Sequence, residues 1–122
     1  MGYDLHITRA KEWSDNDDAQ ITAEEWLRVV AADPELSLAG YNGDYFALWN
    51  GPSRNPDPWF DWSGGNVMTK SPDPALVAKM IQLAERLGAR VQGDDGEIYL
   101  SDGRIERDGA VDAGPEMDWR TW

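Results

Sequence analysis

The run Pro58-Trp59-Phe60-Asp61-Trp62 sets flat aromatic faces and a carboxylate into one short stretch. In an extended chain, side chains alternate between faces. Trp59 and Asp61 therefore share one side and Phe60 and Trp62 the other, and at most one of these aromatic sets needs to be core. Tryptophan supplies the large stiff contacts that dominate protein interfaces, and a carboxylate beside it suits a cationic group. Asp57 precedes the run, and Gly93-Asp94-Asp95-Gly96-Glu97 forms an acid-rich turn further on. Trp59, Asp61, Trp62, Asp57, Asp94, Asp95 and Glu97 are the candidate partner-binding residues. The plain alternative is that Phe60 and Trp62 fill the core while Trp59 shields a sheet edge.

Catalytic chemistry has less to stand on. His6 is the single histidine, and on an extended chain it faces the same way as Asp4 and Thr8. A nucleophilic triad would need a serine, but none of Ser14, Ser37, Ser53, Ser63, Ser71 and Ser101 lies in a nucleophile-elbow glycine pattern. A hydrogen-bonded sheet histidine is the commoner use of such a residue, so no catalytic residue is assigned. Asp15-Asn16-Asp17-Asp18 is dense in oxygen ligands. With Asp15 as first ligand, however, Gln20 stands where a calcium loop needs glycine. Asp94, Asp95, Glu97 and Asp102 would gather a cation only if two turns met in space, so both clusters read as solvated loops. No glycine-rich loop precedes a helix with a basic residue in place for phosphate. No metal and no cofactor is expected. Paired carboxylates for sugar hydrolysis stay open, a test that any small acidic protein passes.

The whole chain carries the same charge bias. Among 122 residues, 23 acidic side chains against 11 basic ones leave a net charge of −12, with seven tryptophans and no cysteine. Such a field speeds encounter with basic surfaces and opposes nucleic acid or anionic lipid, although acidity also serves simply to keep a protein dispersed. The lack of cysteine excludes disulfides, thiolate catalysis and Cys-ligated zinc. The strand-like start reads as no signal peptide, and no apolar run approaches the roughly 18 residues of a membrane span, so a soluble, cytoplasmic protein is expected. Its length suits one domain, as monomer or homodimer.

The elements that must position these residues are marked by local signals. Tyr3, Leu5 and Ile7 alternate with Asp4, His6 and Thr8 as a first strand. Thr22 as N-cap, Glu25 completing a capping box and Ile21 placed to staple against Trp26 open a helix that Asp33-Pro34 stops. Leu36–Leu38, Tyr45–Trp49, Trp59–Trp62 and Asn66–Lys70 read as short strands, with the proline-rich loop Asn50–Pro58 between the second and third of them. Asp73-Pro74 opens a second helix with apolar residues at helical spacing to Leu87, and Gly88 ends it. Ala89–Gln92, Glu97–Leu100 and Arg104–Arg107 are further extended segments. The expectation is an α+β domain over residues 1–108: an antiparallel or mixed sheet of about five to six strands with two helices packed on one face. Residues 109–122 form a tail docked through Trp119 and Trp122.

Gly2-Tyr-Asp-Leu-His-Ile-Thr-Arg9, followed by Trp13-Ser14-Asp15, Ile21-Thr22 with Glu25-Trp26-Leu27, and Val91-Gln-Gly-Asp94 with Gly96-Glu97, resembles a group of small acidic bacterial proteins without an assigned activity. The resemblance spans about Gly2 to Leu100. It implies a bacterial single-domain protein and carries over no functional residue. A looser likeness, of type and without a shared motif, is to bacterial toxin-immunity proteins, small acidic α+β domains that meet a basic toxin surface. The function expected is thus binding of a basic protein, a toxin, by an immunity protein rather than an enzyme. The alternative is a sugar or cationic ligand, bound or hydrolysed, in an aromatic, carboxylate-lined cleft.

Overall fold

The computed structural model describes residues 3–107, 110–111 and 118–122. Of the expected tail, residues 109 and 112–117 lie outside the described residues. Among the described residues nine strands form one sheet: β1 (Asp4–Thr8), β2 (Leu36–Leu38), β3 (Phe46–Trp49), β4 (Trp59–Ser63), β5 (Asn66–Lys70), β6 (Arg90–Gly93), β7 (Ile98–Tyr99), β8 (Ile105–Arg107) and β9 (Ala110–Val111). Their spatial order is β2-β3-β4-β5-β1-β6-β7-β8-β9, with every pairing antiparallel. Five to six strands was therefore too few. All eight segments that read as extended join the sheet, and Ala110–Val111 adds a two-residue ninth strand. Short strands satisfy their backbone donors and acceptors only by pairing, and β2 to β5 and β6 to β9 each lie beside their predecessor within those two runs.

Helix α1 (Ala23–Ala32) carries the chain from β1 to the β2 edge, and α2 (Pro74–Arg86) carries it from β5 across to β6. At the start of α1 the Thr22 hydroxyl accepts from the Glu25 N–H at 3.1 Å, and the Glu25 carboxylate accepts from the Thr22 N–H at 3.0 Å. This reciprocal pair satisfies two donors that the helix itself leaves unused. Asp73 caps α2 by accepting from the Leu76 N–H at 2.8 Å, and Pro74 occupies the first turn, where no N–H is needed.

The pairing register puts Leu5, Ile7, Ala47, Phe60, Val67 and Val91 on one side of the sheet. With Trp26, Leu76, Val77, Met80 and Leu83 from the helices they make one core, so both helices cover this face. Removing each Leu or Ile side chain from water contributes roughly 1.5–3 kcal/mol. Ile21 and Trp26 are both fully buried, and the Trp26 indole donates to the Tyr45 carbonyl at 2.9 Å. Lys79 of α2 is buried, with Nζ 2.7 Å from both Asp33 and Glu35, and Arg86 reaches Asp33 at 3.0 Å. This charged cluster ties α2 to the end of α1. Trp119 is buried, donating from its indole to the Leu100 carbonyl at 2.6 Å, and Trp122 stands edge-on to Tyr99 with centroids 5.5 Å apart. Among the described residues no helix is long and apolar enough to cross a membrane.

Candidate functional site

The second face of the sheet is divided by the segment from Arg9 to Gln20, which lies across β1 and β6. Trp13 stacks on His6, its backbone N–H donates to the Gln92 side chain at 2.6 Å, and its carbonyl accepts from the Asn66 side chain at 2.7 Å. Gln92 in turn donates to the Lys11 and Gly96 carbonyls at 3.0 and 3.1 Å, and Arg9 is clamped to Glu25 and to the Leu87 carbonyl. His6 and Gln92 are buried beneath this cover. His6 is 2.9 Å from Asp94 through Nε2, and the other Asp94 oxygen accepts from the Asp4 N–H at 3.1 Å. The Asp94 carboxylate, read in sequence as free for a partner, therefore already holds β1. Within Asp15–Asp18, Asn16 anchors the loop by donating to Gly64 and Asn66 while the three aspartates are exposed. Among the described residues no three His, Asp or Glu side chains converge on a possible metal position.

Beyond the loop no described segment covers the face. Phe46, Asp61 and Met68 stand abreast on β3, β4 and β5, with Leu48 and Trp59 in the next row, all half-buried. Phe46 and Trp59, diagonal neighbours, stack with centroids 5.1 Å apart. Asp61 has no hydrogen-bond or ion-pair partner among the described residues, and burial raises its carboxyl pKa above the ordinary value. Alternation thus brought Trp59 and Asp61 together. It also turned Phe60 and Trp62 towards the helices: Phe60 is fully buried, and the Trp62 indole donates to the Ile21 carbonyl at 2.8 Å with its ring against Tyr45. Trp62 is therefore not on the surface that Trp59 presents. Asp57 is exposed at the end of the proline-rich loop. Phe46, Leu48 and Met68 were missed as members of this patch, because only the strand register shows that they are neighbours of Asp61.

The third candidate lies at the end of the helix-covered face. Asp95 is exposed in the turn, but Glu97 is only 3% exposed. One of its oxygens, Oε2, accepts from both the Tyr3 and the Tyr99 hydroxyls, the latter at 2.7 Å, while Oε1 is buried with no partner among the described residues. The carboxylate lies so close to Gly93 that a Cβ there would stand 2.5 Å from it, so the glycine makes its room. Burial, and then the hydrogen bond to Glu97, push both tyrosine hydroxyls above the ordinary pKa. A cavity of about 490 Å³ opens here, lined by Tyr3, Ser71, Asp95, Tyr99 and Trp122 as well as Glu97. Arg107 also borders it and is engaged in an interaction of its own. In sequence Glu97 reads as a solvated turn acid, since no local pattern reveals that two tyrosines, 94 residues before it and two after it, close over its carboxylate.

No protein-family model, no curated protein and no solved structure matches this chain.

Proposed function

We propose that this protein is a non-enzymatic binding module for a basic protein, most specifically an immunity protein that neutralises a bacterial toxin by direct contact in the cytoplasm, and that it meets its target through the Trp59–Asp61 face. The observation that carries the reading is Asp61, a half-buried carboxylate among Phe46, Trp59 and Met68 with no cation or donor beside it among the described residues. Partial loss of water around an unpaired charge is costly, and a lysine or arginine brought by a partner relieves that cost. Trp59 offers the same cation an aromatic face, and the net charge of −12 draws a basic surface in. Exposed Asp57 adds to that field from the loop beside the patch.

The reading requires a toxin gene beside this one, and co-expression of the two should rescue growth. Trp59→Ala and Asp61→Asn should each weaken rescue while leaving the fold intact. If no such toxin is rescued, and affinity capture with the whole chain recovers no basic protein, the proposal fails. The alternative of a ligand cleft between the Trp59 face and the loop Asn50–Pro58 has less support: a cavity that combines aromatic walls with a carboxylate lies elsewhere, lined by Tyr3, Tyr99 and Trp122.

A further inference from the structure

We infer that the cavity beside Glu97 is a binding site for a primary ammonium group, on a small amine or a lysine-like side chain, separate from the Trp59–Asp61 face. Tyr3 and Tyr99 both donate to Oε2, which leaves Oε1 buried without a donor among the described residues, in a side chain that is itself only 3% exposed. Buried acceptors in folded proteins are almost always satisfied; Oε1 is closed to solvent as it stands, but Glu97 lines the cavity, so a small turn of its carboxylate would present that oxygen to a donor from outside. The donor should carry positive charge. Glu97 and exposed Asp95 both line the cavity, and the rings of Tyr3, Tyr99 and Trp122 supply the aromatic faces that attract cations. Trp122 is the exposed aromatic of the wall, at 39%, with Tyr99 edge-on behind it.

The geometry also selects the type of cation. A guanidinium prefers two carboxylate oxygens in a fork, and here Oε2 is already occupied by two hydroxyls. A quaternary ammonium has charge but no N–H to give Oε1. A primary ammonium is a compact donor that needs one free oxygen, and its alkyl chain can lie along the rings. The volume of about 490 Å³ accommodates such a group with a short chain. Gly93 completes the site by letting the carboxylate lie against the backbone, and Ser71, held at a φ of +50°, turns the chain along the cavity before Pro72. Arg107 also borders the cavity, so a bound cation would lie near one positive charge as well as the two carboxylates.

The test uses the whole chain and three probes at neutral pH and equal ionic strength: n-butylammonium, n-butylguanidinium and tetramethylammonium, followed by calorimetry and by the indole N–H resonance of Trp122. Saturable binding of butylammonium with a Kd of about 10 mM or tighter, at least about fivefold tighter than either other cation, is expected. Glu97→Gln should weaken it at least about tenfold, because the amide keeps acceptor capacity but loses the charge. Trp122→Ala, on the exposed wall, should weaken it about three- to tenfold with the fold retained, and supplies the readout if Glu97→Gln does not fold. Trp59→Ala should leave it unchanged, which separates this site from the protein-binding face. No saturable binding, equal affinity for the three cations, or affinity untouched by Trp122→Ala would overturn the assignment.

Discussion

The indole of Trp13 lies flat on the imidazole of His6, with ring centroids 3.8 Å apart and planes within 5° of parallel. One contact thus accounts for two features of the chain. It buries the single histidine under a loop, and it fastens that loop across β1 and β6, so that the face beyond, with Trp59 and Asp61, is the part left uncovered. His6 is held from the other direction by Asp94 at 2.9 Å, so it acts as a joint between strand, loop and turn.

Trp13→Ala should release this loop. Trp13 is half-buried, so the cost should fall below that of a fully buried tryptophan, at about 1–3 kcal/mol by urea unfolding. Amide hydrogen exchange should quicken at Ala19, whose N–H is bonded to Asn16, while the amides of α2 keep their relative protection. Uniform loss of protection across the chain would show that the loop is no separate layer.

Trp26 and Trp59 should behave as opposites. Trp26→Ala removes a fully buried ring and its bond to the Tyr45 carbonyl, and should cost about 3–5 kcal/mol. Trp59→Ala removes a half-buried ring on the uncovered face and should cost less, about 1–2 kcal/mol, while raising the off-rate from a basic partner. A Trp59→Ala variant that unfolds rather than dissociates would make it a core residue.

Asp61→Asn should raise the urea midpoint of the free protein at neutral pH while weakening partner binding. The sign follows from the raised folded-state pKa of Asp61: burial disfavours the charged form, so ionisation at neutral pH opposes folding and its removal relieves that opposition. A lower midpoint would mean that Asp61 has a stabilising partner. Binding should also depend on salt through the on-rate, which should fall as ionic strength approaches and exceeds roughly 0.15 M, where the screening length is about 8 Å.

Acid should act through the opposite sign. Glu25 is drawn from its ordinary 4.5 to about 2, first by the Arg9 hydrogen bond and then by the Thr22 N–H. For Asp33, burial pushes upward, but the Lys79 hydrogen bond, the Glu35 N–H and Arg86 more than reverse it, and its pKa is lowered. Carboxylates depressed in this way stabilise the fold above their unfolded pKa values and lose that contribution as pH falls through the folded ones. Stability should therefore decline as pH drops below about 4.5, and Arg9→Met should flatten the part owed to Glu25. A pH profile that Arg9→Met leaves unchanged would remove Glu25 from the account.

Asp33→Asn should cost about 3 kcal/mol, because it leaves buried Lys79 with Glu35 as its remaining anion and weakens the hold of Arg86. Urea unfolding at neutral pH reads this directly, and a change within about 0.5 kcal/mol would reduce the cluster to a surface ion pair.

Local chemistry alone determined where both helices begin and which eight segments run extended. Thr22, Glu25, Asp73 and Pro74 mark their helices because caps are satisfied within four residues, and both helix starts are where those residues put them. Alternation separated Trp59 and Asp61 from Phe60 and Trp62 because strand period is a property of the backbone itself. Which face became core, how many strands joined one sheet, and what covered the second face were decided by contacts between distant parts of the chain. Glu97 is the clearest case: its own neighbours, Asp95 and Gly96, are those of a solvated turn, yet Tyr3 and Tyr99 enclose its carboxylate because β1, β6 and β7 meet there. Local patterns record the period and ends of an element. The environment of a charge depends on what folds over it, and that is set by long-range packing.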